Sequence, residues 1–341
     1  MIPVVDPFSI TEDPKMPFLA KAINPAEARD KLEQYLLHPA CGNHNVYLHA
    51  IRVIRYKPAR RCMIEYDLEI CSPQPEKVTV IGKVQAQGPR RSTYYVLNSL
   101  YNAGFGQDSQ DGICVPETAG IIPEFNMLLQ RKVSGDTATR LLIEPGGTAL
   151  SRRIARAAHK LHRADIPVKR RHTMVDELRI LHERLSIVAR MMPDRAERLE
   201  RILDSCDQIG AATPKPELCG IHRDFYPDQV IADGSHLYLI DFDLYCEGDP
   251  GLDIGNFLGH LIELSLRTFN DPDALSDRTE AMEEEFVALS GEHTRASVRA
   301  YSVLTLVRHI YLSTQFPERR NFTEPLLELC EQRLARCIPK L

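Results

Sequence analysis

Tryptophan is absent from the 341 residues, and the nine cysteines form no Cys-x-x-Cys pair. An odd number of scattered cysteines suits reduced thiols in a cytoplasm better than a disulfide framework or a zinc site. The missing tryptophan decides nothing about function. No apolar run approaches the roughly 20 residues that cross a bilayer, so no membrane partner is expected. The first six residues, Met1 to Asp6, lack both a basic start and an apolar core, so no export signal is expected. A basic excess is missing too. The 42 Lys and Arg stand against 47 Asp and Glu, for a net charge of −5. That balance argues against nucleic acid as a partner, because phosphate backbones are held by basic patches. Internal repeats and low-complexity tracts are absent as well.

What remains is ordinary globular composition, 43% hydrophobic and 26% charged. The length allows one large domain or two lobes with separate cores. Residues 1–23 carry Pro3, Pro7, Pro14 and Pro17 without a clear period and read as an irregular arm. Asn24, Pro25 and Glu27 then open a helix, with Leu32, Tyr35 and Leu36 on one face and a stop at Cys41-Gly42-Asn43. Strand character follows over 46–56, 62–70 and 77–84, with short turns between, one of them over 71–75; together they form an antiparallel meander. A helix is expected over 92–101, then a polar loop over 106–112 and short strands to about 129. Residues 127–132 read as an edge strand leading into a linker at Ser134-Gly135-Asp136. Apolar residues at helical spacing mark 148–163, 175–192 and 194–209. Four more helices are expected over 253–266, 280–290, 294–315 and 323–337. The chain is thus a β-rich first third followed by a helical remainder, with one hairpin among the helices.

That hairpin carries the chemistry. It begins Ile221-His222-Arg223-Asp224-Phe225-Tyr226-Pro227-Asp228-Gln229-Val230, turns at Asp233-Gly234, and returns as Tyr238-Leu239-Ile240-Asp241-Phe242-Asp243. A hairpin of this size brings its second end back beside its first, so Asp224 and Asp241 should face one pocket. Phosphoryl transfer needs this layout: one carboxylate to orient the attacking hydroxyl, and a second with an amide neighbour to hold Mg²⁺ against phosphates. Lys83, in the third strand, stands where a cation can reach nucleotide phosphates; its alternative is an exposed strand lysine. Lys57, Arg60 and Arg61 fill the first strand turn, where a Gly-rich loop is missing, and serve either as phosphate-facing cations or as solvated turn residues. His222 is expected to be structural. Asp249 and Asp253 flank Pro250 before an apolar helix and read as caps and scaffold with some contact to the catalytic loop. Asp243 either adds charge near the metals or faces solvent. His159 and His162 share a helix face but lack further ligands at metal spacing, so they read as ordinary helix residues. The acidic run Glu280, Glu283, Glu284, Glu285 is left open between a solvated face and a wall of the acceptor pocket.

His222-Arg223-Asp224 with Gln229, Ile240-Asp241-Phe242-Asp243 and Gly248-Asp249-Pro250-Gly251-Leu252-Asp253 together resemble the core of the aminoglycoside phosphotransferase and choline kinase-like family. The resemblance spans about residues 45 to 315 and is specific at 220–260. It implies an α+β, bilobal protein-kinase-like fold, with a β-sheet N-lobe over 1–130 and a helical C-lobe over 131–341. By position it implies Asp224 as the catalytic residue, Asp241 and Gln229 as Mg²⁺ ligands, and Lys83, Arg60, Arg61 and Gln130 as nucleotide-binding residues. The implied partners are ATP or GTP and a small hydroxylated acceptor: a sugar, amino alcohol, aminoglycoside or related metabolite. The chain departs from the family pattern in placing Gln229 where the metal-binding Asn stands, in its missing Gly-rich loop, and in a helix after Lys83 without Asp or Glu. Only seven residues separate Asp241 from Asp249 and no Ala-Pro-Glu follows, so a small acceptor fits better than a protein one. The competing class is a nucleotide-binding pseudokinase without turnover.

Overall fold

The computed structural model describes residues 2–36, 46–70 and 75–337. The expected helix stop at Cys41-Gly42-Asn43 and most of the turn over 71–75 lie outside the described residues. Two compact units divide the chain, Met1–Ser134 and Gly135–Leu341.

The first unit is built on a six-stranded sheet. Its elements in chain order are β1 (Val4–Val5), α1 (Leu19–Ala22), α2 (Pro25–Tyr35), β2 (Val46–Lys57), β3 (Arg61–Ile70), β4 (Glu76–Gln85), α3 (Arg91–Leu100), β5 (Ile113–Cys114), β6 (Thr118–Ile122) and β7 (Met127–Arg131). The strand order is β1-β2-β3-β4-β7-β6, and the pairing is antiparallel except for β1 on β2. The expected meander is therefore present, with β7 added beside β4. Asn24 caps α2 as its spacing requires, its side-chain oxygen accepting from the amides of Ala26 (3.0 Å) and Glu27 (3.3 Å). Alternation along β3 sends Cys62, Ile64, Tyr66, Leu68 and Ile70 into a core shared with Val80 and Val84 of β4 and with α1 and α2. Gly82 falls on the same side by alternation, and the Met127 side chain occupies the space beside it; an added Cβ would lie 2.5 Å from that sulfur.

The leading segment is not the irregular arm its prolines suggest. Two carboxylates organise it. Asp6 accepts from the amide of Ile10 (2.8 Å), and Asp13 accepts from the amides of Lys15 (2.9 Å) and Ala59 (2.7 Å) and from the Tyr56 hydroxyl (2.7 Å). With its amides satisfied, the segment buries Ile10, Met16 and Leu19 completely. The Ala59 amide beside it, more than any other partner, holds the Asp13 carboxyl below its ordinary range.

The second unit comprises β8 (Asp136–Thr137), α4 (Ala138–Leu141), α5 (Gly147–His162), α6 (Met174–Met191), α7 (Ala196–Ala212), β9 (Cys219–Ile221), β10 (Val230–Asp233), β11 (His236–Leu239), β12 (Cys246–Gly248), α8 (Pro250–Phe269), α9 (Ser276–Ser290), α10 (Arg295–Gln315) and α11 (Thr323–Cys337). β10 pairs with β8 and β11, and β12 pairs with β9, all antiparallel. Its core joins α6, α7, α8, α10 and α11 through Leu181, Leu185, Ile202, Leu266, Leu304 and Leu327. α8 and α10 meet almost backbone to backbone along Gly251, Gly255 and Gly259. A Cβ on Gly255 would lie 2.5 Å from the Tyr301 Cβ, and one on Gly259 would lie 2.6 Å from that of Thr305. Among the described residues every cysteine is a free thiol. No described helix is long and apolar enough to cross a membrane.

Candidate active site

The β10–β11 hairpin sets the spacing of the site. Val230 pairs with Leu239 and Asp233 with His236 across the Gly234 turn. The ladder continues one step further, where the Gln229 carbonyl accepts the Ile240 amide at 3.0 Å. Gln229 and the start of the Asp241 segment are thereby side by side. Gln229 closes a 3₁₀ turn, Pro227–Gln229, and is buried, whereas Asp228 is exposed and accepts from Thr139.

Asp253 braces the loop ahead of Asp224. It is completely buried in the first turns of α8, and its two oxygens accept three hydrogen bonds: from the amides of His222 (2.8 Å) and Arg223 (2.7 Å) and from the His162 ring (2.9 Å). Arg223 has φ 69°, a left-handed conformation that costs a non-glycine residue on the order of 1 kcal/mol and persists where its surroundings hold it. The Asp253 bond to its amide is that hold. Asp241 stands at φ 67° in the same way. Asp249 is the actual cap of α8, accepting from the Gly251 amide at 2.8 Å and from the Ser297 hydroxyl at 2.5 Å. The expectation that both acids are scaffold thus resolves into two tasks, one on the helix and one on the loop.

His222 links the two sides of the site. Fully buried between the rings of Phe225 and Phe242, it donates from Nε2 to the Ile240 carbonyl at 2.8 Å. Its ring is a tie, not a base. Asn256, on α8, fixes the far side of the loop by donating to the Phe225 carbonyl at 2.8 Å. Asp224 itself is half-buried, and burial pushes its carboxyl above the ordinary value. His222, Arg308 and Arg223 pull it down, and the nearby Asp241 carboxylate pushes it up. The two acids therefore act on one another electrostatically. A carboxylate and a neutral amide supply hard oxygen donors, the kind Mg²⁺ takes alongside phosphate oxygens, so Asp241 and Gln229 fit that ion.

The first unit places its own candidates on one face of the sheet. Lys83 pairs with Met63 on β3 and with Leu128 on β7, while Ile81 pairs with Gln130 and Gln85 with Arg61. Period-two alternation puts Arg61, Lys83 and Gln130 together on the face opposite the hydrophobic core. Gln130 is buried there, Arg61 is partly exposed, and Arg60 is exposed in the turn. That turn has few amides to offer an anion: Ala59 donates to Asp13, and Arg60 donates to the Lys57 carbonyl. As expected, α3 carries no carboxylate. The same sheet face does carry Glu65, next but one to Met63 on β3, buried and bound by Lys132 at 2.6 Å and Arg52 at 3.3 Å.

His162 reads in the sequence as an ordinary helix residue, yet it supports Asp253; its neighbour His159 only meets Ser290 at 2.9 Å. Asn256, His260, Glu263 and Arg267 carry no motif. Their signal is spacing: polar residues at intervals of four, three and four within an otherwise apolar helix, a stripe that an apolar face would not tolerate without purpose. Tyr226 stacks on His260 with ring centres 4.7 Å apart.

Comparison with known proteins follows this geometry. Three solved structures share the fold. A choline/ethanolamine kinase family protein from Mesorhizobium loti is 15% identical with a TM-score of 0.58, covering 92% of this chain and 98% of its own. Spectinomycin phosphotransferase APH(9)-Ia, in complex with ADP and spectinomycin, is 9% identical with a TM-score of 0.61 and the same coverage. A thermostable mutant of aminoglycoside phosphotransferase APH(4)-Ia, in a ternary complex with ADP and hygromycin B, is 14% identical with a TM-score of 0.58, covering 86% of this chain and 96% of its own. At these identities the likeness is one of fold, which is the α+β protein-kinase-like fold expected from the sequence. No curated protein matches the sequence. The model of the phosphotransferase enzyme family (APH) matches over residues 113–294, more than half of the chain, and the protein belongs to that family.

Proposed function

We propose that this protein is a small-molecule kinase that transfers the γ-phosphate of ATP or GTP to a hydroxyl group. The observation that carries the reading is the pairing of Asp224 and Asp241 within electrostatic reach of each other, on a loop and a strand end that Asp253 and His222 tie together. Asp224 orients the acceptor hydroxyl and takes its proton as the new O–P bond forms and the bond to the leaving nucleoside diphosphate breaks. Asp241 and Gln229 would hold Mg²⁺, which supplies neutralisation of phosphate charge. Lys83, with Arg60 and Arg61, binds the phosphates, and Gln130 belongs to the nucleotide site. The turn ahead of Arg61 has committed its amides internally, which favours side-chain charge over a backbone cradle there. Catalysis rests on positioning and charge.

A small acceptor is favoured over a peptide by the segment after Asp241. It is a 3₁₀ turn, Phe242–Leu244, followed at once by β12, whose Cys246 and Gly248 pair with Ile221 and Cys219. No length remains there for a peptide-docking loop. The free thiols suit a reducing cytoplasm. The second reading, a pseudokinase, draws on Gln229 and on a Glu65 already engaged by Lys132 and Arg52.

Thermal unfolding with MgATP and with MgGTP tests the proposal. A ligand at about 100 times its Kd adds about 2.7 kcal/mol, worth about 3–5 °C for a chain of this length. The shift is expected to vanish in Asp241→Ala. Absence of any shift at millimolar nucleotide would refute the kinase reading.

A further inference from the structure

The Asp224 carboxylate accepts no hydrogen bond from any described residue, so its place is set by the backbone on either side of it. Ahead of it, Asp253 holds the amides of His222 and Arg223. Behind it, Asn256 of α8, completely buried, donates from Nδ2 to the Phe225 carbonyl at 2.8 Å.

A carboxamide holds a carbonyl only when it is turned the right way. Its two ends have nearly the same shape, one donating and the other accepting, so neighbouring groups decide which end points where. For Asn256 the decision comes from α10. Arg308 donates to Oδ1, and the Thr305 hydroxyl donates to the same atom at 3.3 Å. A hydroxyl donates or accepts and would tolerate either orientation, whereas a guanidinium has donors only. Turned over, the amide would set N–H against N–H at Arg308 and C=O against C=O at Phe225. Arg308 is therefore the residue that fixes it. Gly255 and Gly259 lie on both sides of Asn256, and the close approach they allow to Tyr301 and Thr305 brings α10 within reach.

Arg308 is held in turn. Its side chain is 20% exposed, and Nη1 reaches the buried Glu177 of α6 at 3.4 Å. The other Glu177 oxygen lies 2.6 Å from the His172 ring, and the His172 amide donates to the Glu247 carbonyl of β12 at 2.9 Å. The relay thus begins on β12, in the segment that follows Asp241, and ends on the carbonyl next to Asp224. A cation needed only to pair with Glu177 would have no cause to engage Asn256 as well. Burial raises the Asp224 carboxyl, and Arg308 is among the charges that oppose that rise. Arg308 lies beyond residues 113–294, the span of the family match.

We propose that Arg308 is a positioning residue for the transfer step, fixing the Asn256 amide and through it the turn of backbone that carries Asp224. The proposal rests on the kinase reading above and adds to it a residue that acts through another. It places the effect of Arg308 in kcat, where the base must meet the hydroxyl, and not in nucleotide binding.

The test is ADP release from MgATP with water, glycerol, ribose, glycerate and ethanolamine offered in turn as acceptor, the fastest of them serving for all variants. In Arg308→Gln, kcat should fall about tenfold or more while the KM for MgATP and the thermal shift by MgATP hold. Arg308→Lys keeps the charge and a donor without the fork, and should recover part of the loss. Asn256→Ala should lower kcat by a similar factor, and adding Arg308→Gln to it should cost little more, because both act through one amide. An arginine that only stabilises the fold gives losses that multiply in the double variant. That result, or an unchanged kcat in Arg308→Gln, overturns the proposal and leaves the kinase reading standing. If Arg308→Gln does not fold, Arg308→Lys decides: a lowered kcat with an unchanged KM for MgATP supports the proposal, and a wild-type kcat overturns it. No ADP release by the wild type with any of these acceptors removes the kinase reading and the proposal with it.

Discussion

Replacing Asp253 should destabilise the fold and release the loop that carries Asp224. The Asp253 carboxylate satisfies two backbone amides and one imidazole in a site with no access to water. Asp253→Ala leaves three buried donors without an acceptor. At about 1–3 kcal/mol for each, less what a water entering the gap restores, the loss is about 3–6 kcal/mol. Release of Arg223 from its left-handed conformation offsets on the order of 1 kcal/mol. For a chain of this length the net of about 2–5 kcal/mol corresponds to a fall in Tm of about 3–7 °C. Asp253→Asn keeps one acceptor oxygen and should lose about half as much. Glu197→Ala is the control: that side chain is 86% exposed and pairs with Arg201, so about 0.5 kcal/mol or less is expected. Urea and thermal unfolding of the three variants measure these values. Asp253→Ala within about 1 kcal/mol of wild type would refute the claim that this residue braces the loop.

Two further predictions concern pH. The Asp224 carboxyl is raised in the folded chain, mainly by burial, so the folded state binds more protons above the ordinary carboxylate range and stability falls as pH rises through that window. Asp224→Asn should therefore stabilise the nucleotide-free protein at neutral pH, with the gain shrinking towards pH 4; a destabilised variant at pH 7 would count against this. His260 and His309 are lowered, so the unfolded state takes up their protons first and stability falls as pH drops below about 6.5, by up to about 1.4 kcal/mol per pH unit for each ring. His309→Asn should flatten that acid limb in urea titrations between pH 7 and 5, and an unchanged slope would contradict the assignment.

Much of this site is legible in the chain because it is local. The Asp233-Gly234 turn and the short strands around it bring residues 229 and 240 together without help from elsewhere, and Asn24 announces its helix through its own side chain. The strand meander is readable for the same reason, since each turn joins neighbours. What escapes is what distant residues decide. The leading segment looks irregular because its strand is two residues long and its order comes from Asp13 meeting Tyr56 and Ala59, over forty positions away. Asp249 and Asp253 look alike beside Pro250, and only the return of the catalytic loop tells cap from brace. His162 looks idle until α5 is set against α8. The polar stripe requires two helices to face one another at glycine distance, and a pattern read on one helix shows only half of it.

The most direct test of the central claim is acceptor-dependent phosphate transfer, followed by ³¹P NMR, in wild type and Asp224→Ala with MgATP. The account predicts a new phosphate ester in wild type and a loss of at least about a hundredfold in the variant, which still binds nucleotide. Near-equal transfer by both proteins would contradict the role of Asp224, and bound nucleotide with no transfer to any hydroxylated acceptor in wild type would leave a binding protein in place of an enzyme.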